Sequence, residues 1–583
     1  MWVIILPIYL PQFMLNQSLT SFTIPQQIAY FSMEIGLDKS MNTYSGGLGI
    51  LAGDTLKSAA DMGLHMIGIT LLSKEGWLKQ ILDLQKGQLE LPDKWDYENI
   101  LNLRPERFNL EIAGEDVAVQ VWEYMILGQN GHIVPVFFLD ADVAGNSDLV
   151  RKTSQNVYSD NSEVWYRQEM LLGLGGLKAL EILDYPDIKT YHLNESHAAV
   201  LTLALKEKLG SWEDVKSRMC FTTHTPLRGA HQIFSTEQLQ QFLPKKYFDL
   251  IPKELITDQG LGFTDLCIFA SKFSNSVAKR HRKTSQEMYP NHKIEYITNG
   301  VHLPTWVSPY LLEIFDAQIP DWRGNHDYLR QVLGLDGEII KQAHLKSKQN
   351  LVDFINNDQE FLGEKRDENL FDTKTFTIGF ARRAVPYKRA SLIFTELERL
   401  KKIATNFGGL QIIFAGKTGN NDFEGKKTIA EILAFCKQSD LHLRITYVEN
   451  YNMDIASKLV SGVDLWLNNP LPPLEASGTS GMKAAANGVP SFSIWDGWWP
   501  EGCIENATGW SIGQDLCVGD HCRLIEIEDL YSKLEHIILP LFYNQPDEWV
   551  QIQKNCIALN GSHFNTQRML LEYLTKGYLK GVI

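Results

Sequence analysis

Short apolar runs with helix-spaced stretches between them recur along the whole chain, and this alternation limits its fold more than any other feature. The runs cover residues 28–32, 66–71, 134–139, 190–193, 219–223 and 294–298 in the first half. They continue at 375–380, 410–414, 443–448, 463–467 and 491–494 in the second. A strand buried on both faces reads as an unbroken apolar segment, and a helical crossover brings two such strands side by side in parallel. The expected class is therefore α/β with doubly wound parallel sheets. A single core cannot absorb 583 residues, so two large domains are expected. We place the boundary near Thr305, giving 1–305 and 306–583, with a last helix at about 547–577 free to cross back to the first domain. The charged, polar stretch 356–374 reads as a surface loop ahead of the second sheet.

Charge and cysteine usage exclude several roles. A net charge of −15 argues against nucleic acid or an anionic membrane as the main partner, so an anionic substrate needs a local positive pocket. Fourteen tryptophans and 21 tyrosines suit stacking on sugar rings as well as filling large cores. The seven cysteines show no C-x-x-C pair and no metal-ligand spacing, which predicts reduced thiols in a cytoplasmic protein without a metal. Residues 1–11 are apolar, but they lack a basic flank and contain Pro7 and Pro11, so they read as a tail or an upstream-misassigned start. No other stretch is long and apolar enough to span a bilayer.

Doubly wound sheets bind ligands beyond the carboxyl ends of their strands, and there the chain places its most suggestive residues. Glu475-Ala-Ser-Gly-Thr-Ser-Gly-Met-Lys483 follows the run 463–467. Gly478, Ser480 and Gly481 at a helix start leave amide groups for an anion, with Thr479 among them. Lys483 adds an amine able to form a Schiff base, and Glu475 and Ser477 add groups that can hold a polyol. Tyr44-Ser-Gly-Gly-Leu-Gly49 opens a helical pattern at 51–62 and suits a phosphate turn at Gly46 and Gly47; it fails as a dinucleotide fingerprint because residues 64–72 hold no acidic side chain. Asn194-Glu-Ser-His197, Thr223-His-Thr225, Thr298-Asn-Gly300 and Glu449-Asn-Tyr451 also lie at strand ends. Phe380-Ala-Arg-Arg-Ala-Val-Pro-Tyr-Lys-Arg389 gathers four cations at another. Ala415-Gly-Lys-Thr418 is no P-loop, since Gln411 stands where the first glycine belongs. Taken singly, each has a plain alternative: a solvated Gly/Ser or basic loop, a core histidine, a turn asparagine.

Taken in order, these segments resemble the α-glucan phosphorylases, and in particular their short bacterial and archaeal branch. Residues 475–488 are similar to the family's pyridoxal-phosphate attachment segment, and Asp496-Gly-Trp-Trp499 matches the D-G-W-W that follows it in that branch. The other matches are to G-G-L-G-x-L-A, L-N-[DE]-x-H, T-N-G, K-R-x-x-x-Y-K-R and E-N-Y. In the basic segment the family's histidine and glutamate are Val385 and Pro386 here, which puts the loop's shape in question. The resemblance implies two Rossmann-like domains with the active site between them, in the GT-B arrangement. It also implies pyridoxal 5'-phosphate bound covalently at Lys483, with Gly46, Gly47, Tyr451 and Thr479 beside it. Arg383 and Lys388 would grip the reacting phosphate, and His197 would act at the cleaved bond. Leu48, Asn299, Glu475, Ser477 and Gly478 would hold the sugar. His224 and Lys417 are weaker candidates for the acceptor and phosphate sides.

The implied reaction is reversible phosphorolysis of the non-reducing terminal glucose of an α-1,4-glucan to α-glucose 1-phosphate. The cofactor phosphate would relay a proton, for which a second ionisation near ~6 is suited. The resemblance further implies a homodimer as a common assembly, and no regulatory N-terminal extension, since only about 28 residues precede Ala29. Three alternatives remain open from sequence: a nucleotide-sugar glycosyltransferase of the same architecture, a glucan-binding relative without activity, and a pyridoxal aminotransferase.

Overall fold

The computed structural model describes residues 27–358, 371–517 and 519–579, and within them two large sheets carry the fold. The first has nine strands in the order Glu295–Tyr296, Phe273–Ser276, Met219–Thr222, Ile188–Asn194, Gln27–Phe31, Met66–Leu71, Ile133–Asp140, Glu115–Leu127 and Asn102–Ile112. Seven of them are parallel, and the last two fold back as an antiparallel edge. The second sheet has six parallel strands, ordered Leu443–Val448, Leu410–Ala415, Phe376–Ala381, Leu465–Asn468, Ser491–Ile494 and Gly509–Ile512.

Both sheets are covered on both faces along their parallel strands, which is why those strands are largely apolar, while the antiparallel edge Asn102–Leu127 is partly exposed. Met66–Leu71, Phe376–Ala381 and Leu410–Ala415 are buried at every position. Ile28 and Tyr30 point into one apolar cluster and Ala29 and Phe31 into another, the two-residue alternation of an extended chain. Phe376, Ile378 and Phe380 share one face of the second sheet, and Ala381 lies on the other with Ile413 and Ala415. Each such buried side chain of Val, Leu or Phe size contributes about 2 kcal/mol.

Strand order then places the ligand sites. Numbered along the chain, the second sheet reads 3-2-1-4-5-6, and its order reverses between Phe376–Ala381 and Leu465–Asn468. In the first sheet the reversal falls between Gln27–Phe31 and Ile188–Asn194. At such a switch the two following loops part to opposite faces and leave a crevice. The two crevices meet, because loops after the strands of one lobe bond to the other lobe. Gln80 and Asn450 exchange amide hydrogen bonds at 3.0 and 3.2 Å, the Leu82 amide donates to Glu449 (2.7 Å), and Lys417 donates to the Leu78 carbonyl (2.8 Å). Near the far edge, Thr298 donates to Glu501 at 2.7 Å.

The expected last helix is not one helix. Pro546–Asn555 and Thr566–Tyr573 are separated at Asn565, whose backbone pairs with Val301 of the first lobe. The Val301 amide donates to the Phe564 carbonyl (3.1 Å) and the Thr566 amide to the Val301 carbonyl (3.0 Å), and these bonds interrupt the helical ladder. Thr566–Tyr573 then packs along Gly47–Asp61, where the Ser58 and Thr566 hydroxyls lie 2.5 Å apart. A Cβ at Gly300 would stand 2.2 Å from the Asn565 carbonyl. Gly300→Ala should therefore push the C-terminal segment away and cost about 1–3 kcal/mol, read as a lowered unfolding midpoint. An unchanged midpoint would show that the close approach is not a constraint.

One further expectation is corrected. Cys517 and Cys522 form a disulfide where reduced thiols were expected; the chain turns through Gly519 (φ +104°) and brings their Cα atoms to 5.7 Å, within reach of an S–S bond. The other five cysteines remain thiols. The edge hairpin Asn102–Leu127 and the strands Phe273–Ser276 and Gly509–Ile512 add to the sheet runs read from sequence. Residues 1–11 and most of the 356–374 loop lie outside the described residues. No described helix is long and apolar enough to cross a membrane.

Candidate active site

The loops at the second sheet's switch point hold three buried charges in contact. Arg382 follows the strand Phe376–Ala381, and Glu475 lies in the loop after Leu465–Asn468. Glu475 Oε1 accepts from Arg382 at 2.7 Å and Oε2 from Lys388, with all three side chains nearly sealed from solvent. Arg382 also donates to Asn468. Burial alone would raise the Glu475 pKa, but the Arg382 and Lys388 charges and their hydrogen bonds outweigh it and hold it at about 2. Burial and the Arg382 charge bring Lys388 down to about 8 against the pull of Glu475. Two cations around one carboxylate leave the pocket with a net positive charge, as an anion site inside an acidic protein requires. From sequence, Arg383 rather than Arg382 is the expected phosphate ligand, and Arg382 was missed although it stands in the same basic run.

Arg383 points elsewhere. Its guanidinium lies 5.7 Å from the Trp77 ring and close enough to the Tyr158 hydroxyl to lower that group's raised pKa. Tyr158 belongs to the first lobe and donates to Glu34 at 3.1 Å. Glu34 also accepts the Ser45 amide at 2.5 Å and the Gly46 amide at 3.0 Å, holding the turn that opens the helix Gly47–Asp61. Gly47 is exposed and Leu48 half-buried at that helix start, and a Cβ at Gly46 or Gly47 would meet nothing within 4 Å. Their lack of a side chain serves no contact within the protein.

His197 follows the strand Ile188–Asn194 at the first sheet's switch point, its ring 5.7 Å from Tyr158. Burial pulls its pKa down to about 4, so the imidazole is neutral at pH 7. His224 bonds Asn194 Oδ1 at 2.7 Å through Nε2, and its amide donates to Glu195. Asn299 gives its carbonyl to Arg568 (2.9 Å) of the returning C-terminal helix. Three buried polar atoms of predicted sugar ligands have no hydrogen-bond partner among the described residues: His197 Nδ1, Asn299 Oδ1 and Ser477 Oγ. Buried polar atoms are normally paired, so these three, each following a strand, are places where a polar ligand can bond.

Lys483 lies in the helix Thr479–Ala486, which starts at Gly478 in the left-handed region (φ +86°) with no side-chain cap. Thr479 is thus the first residue of a helix whose leading amides lack a capping side chain. The Lys483 side chain is buried and its ammonium sits 3.6 Å above the Trp306 ring, a cation–π contact. The Trp306 indole donates to both oxygens of Asp54, at 2.8 and 3.0 Å. Burial brings Lys483 to about 8, with Asp54 opposing that fall and Lys57 adding to it. A lysine so placed carries a sizeable neutral fraction near pH 8, the form that attacks an aldehyde. Tyr451 is half-buried, close enough to Arg382 to feel its charge. Lys417 is committed to Leu78 and to Asp93 (3.9 Å), away from the Glu475 cluster's own contacts. Asp54, Lys57 and Trp306 carry no signal that sequence spacing offers.

The residues fit a lysine-anchored aldehyde cofactor bearing a phosphate: a buried amine of lowered pKa, bare helix-start amides and buried cations near by. The carbohydrate phosphorylase family profile matches residues 253–501. The chain is 35% identical to glycogen phosphorylase of Aquifex aeolicus, over 96% of its own length and 87% of that protein's. It is 34% identical to maltodextrin phosphorylase of Thermococcus litoralis, with 96% and 71% covered. A glycogen phosphorylase of Mycobacterium tuberculosis is 30% identical, with 95% and 71% covered. Similarity at this level runs through both lobes and not the matched segment alone, and the chain accordingly belongs to the carbohydrate phosphorylase family.

Proposed function

We propose that the chain catalyses reversible phosphorolysis of an α-1,4-glucan: inorganic phosphate takes the terminal glucosyl unit and releases α-glucose 1-phosphate with retained configuration. The observation that carries this reading is the buried Arg382–Glu475–Lys388 cluster; the unpaired buried polar atoms of His197, Asn299 and Ser477 support it. A hydrolase would need a carboxylate pair and a water; here the charge pattern favours an anion as the second reactant. The two sheets with their helices make up the two domains of this reading, meeting near Thr305, with the C-terminal helix returned to the first. The enzyme is placed in the cytoplasm, with a homodimer as its assembly.

The bond between C1 of the terminal glucose and O4 of the next unit breaks, a phosphate oxygen bonds to C1, and the departing O4 takes its proton from that phosphate. Arg382 and Lys388 hold the phosphate oxygens, and Arg383, which the resemblance implies, joins them by turning in from Trp77; a guanidinium fork and a compact ammonium suit a tetrahedral dianion. Glu475, Ser477, Gly478, Asn299 and Leu48 orient the glucosyl ring. Neutral His197 stands at the scissile bond as a hydrogen-bonding group rather than a cation. Closing the crevice keeps water, a competing nucleophile, away from C1. The resemblance of residues 475–488 implies pyridoxal phosphate as cofactor; Lys483, Thr479, Gly46, Gly47 and Tyr451 would hold it here. When bound, it supplies a phosphate group able to exchange a proton with the reacting one. The protein's own share is to keep two anions close together, which its cations make tolerable.

The purified, cofactor-loaded chain should release glucose 1-phosphate from maltodextrin only when phosphate is added. Release of free glucose without phosphate, or glucosyl transfer from a nucleotide sugar, would replace this reading with a hydrolase or a synthase.

A further inference from the structure

The turn 496–501 joins the anion pocket to the first lobe. Asp496 follows the strand Ser491–Ile494 and is 3% exposed. Its Oδ2 accepts the Glu475 amide at 2.8 Å. Two residues on, the Trp498 amide donates to the Ser477 carbonyl at 2.9 Å. Gly497 (φ +59°) lies so close beneath that carbonyl that a Cβ would stand 2.3 Å from it. The Glu475–Ser477 backbone therefore follows wherever this turn goes. Asp496 Oδ1 is buried and has no hydrogen-bond partner among the described residues. The nearest cation is Arg280 Nε at 3.7 Å, from the helix Lys279–Met288 of the first lobe. Arg280 is shared with Asp515, and the neighbouring Lys279 amide donates to Glu501 at 2.9 Å.

We propose that Asp496 is a positioning residue for phosphate: through the Glu475 amide it fixes the carboxylate lying between Arg382 and Lys388, and its other oxygen sets how much negative charge stands beside that pocket. This rests on the phosphorolytic reading above. The charged and titratable groups facing Asp496 are Glu475 from its loop, Tyr387 and Lys388 from the turn after Phe376–Ala381, and Arg280 across the crevice. Burial raises the Asp496 pKa, and the Glu475 charge adds to the rise. The Glu475 and Gly497 amides and Arg280 oppose it, and the result is about 7. Below that pH the carboxyl is neutral and the pocket more positive; above it a second carboxylate opposes an entering dianion.

Asp496→Ala and Asp496→Asn are to be compared with wild type, all cofactor-loaded, by calorimetric titration with inorganic phosphate and by phosphorolysis of maltodextrin. Loss of the anchoring bond in Asp496→Ala should weaken phosphate binding about tenfold and raise its KM alike, and the maltodextrin KM should rise with it, because Glu475 and Ser477 also orient the glucosyl ring. Asp496→Asn keeps an oxygen for the Glu475 amide. It should match wild type near pH 6 and bind phosphate about threefold tighter near pH 8, where only the wild type carries the charge. Phosphate's own ionisation cancels in that ratio. A flat ratio between these pH values, or an alanine variant that changes only the melting temperature, overturns the inference. If wild type binds phosphate yet releases no glucose 1-phosphate, the reaction assignment falls, and the calorimetric comparison still decides the role of Asp496.

Discussion

Lys483→Ala should lower kcat for glucose 1-phosphate release by about 10³-fold or more while leaving the fold intact. The size of the effect follows from losing both a covalent anchor and the placement of a second phosphate beside the first. Fold should survive because Lys483 is a desolvated cation whose described contact is an aromatic face, with no carboxylate in ion-pair range. Deleting it removes a desolvation penalty along with the cation–π contact, and these roughly offset each other. The vacated space lies against Trp306, which Asp54 holds through its indole N–H. Circular dichroism and a melting curve would check the fold, and visible absorbance the retention of cofactor. Undiminished turnover in this variant would refute the anchor assignment outright.

Lys348→Ala should act the opposite way, on stability and not on chemistry, by about 3–5 kcal/mol. Lys348 is 1% exposed and donates to the Thr375 carbonyl at 2.7 Å and to Asp464 at 2.5 Å. Asp464 is equally buried and also accepts from His344 (3.0 Å) and the Thr377 amide (2.8 Å). Without the lysine, a carboxylate stays buried with one neutralising charge gone. The pair sits where Phe376–Ala381 and Leu465–Asn468 begin, at the end of the sheet away from the cations, so the folded fraction should keep its kcat. Burial would raise the Asp464 pKa, but the Lys348 charge and the His344 contacts outweigh it and hold it below the ordinary range. A depressed carboxylate stabilises above the unfolded pKa of ~3.9 and loses that contribution as pH falls through the folded value. Wild type should therefore shed part of its advantage over the variant in acid. Denaturant titrations at neutral and acid pH would read this, and equal midpoints at neutral pH would refute it.

What could be read from sequence divides along burial. Runs such as 66–71 and 410–414 are legible because a strand covered on both faces admits only apolar residues. Asn102–Ile112 alternates between buried and exposed positions and carries Arg104, Glu106 and Arg107, so its strand was not marked. Gly509–Ile512 is four residues long, too short to show a period. The class and the phosphorylase resemblance hold, since glycines and a lysine in fixed order survive in the linear chain. Partnerships do not. Glu475 and Lys388 are 87 residues apart, and that Arg382 rather than Arg383 completes their cluster depends on which way two adjacent side chains leave a strand end. The helix-breaking pairing of Asn565 with Val301 and the disulfide of Cys517 with Cys522 are likewise tertiary events. Asp496 was visible only as a letter in a motif; its role comes from the amide 21 residues earlier that it holds.

The return of the C-terminal segment has a consequence for biosynthesis. Met569, Leu570, Tyr573 and Leu574 share an apolar cluster with Ile28, Leu56 and Met66. The first lobe thus carries a greasy seam whose natural cover is translated well after it. During elongation that seam must be shielded by a chaperone or tolerated bare, so synthesis order and completion order differ in this protein.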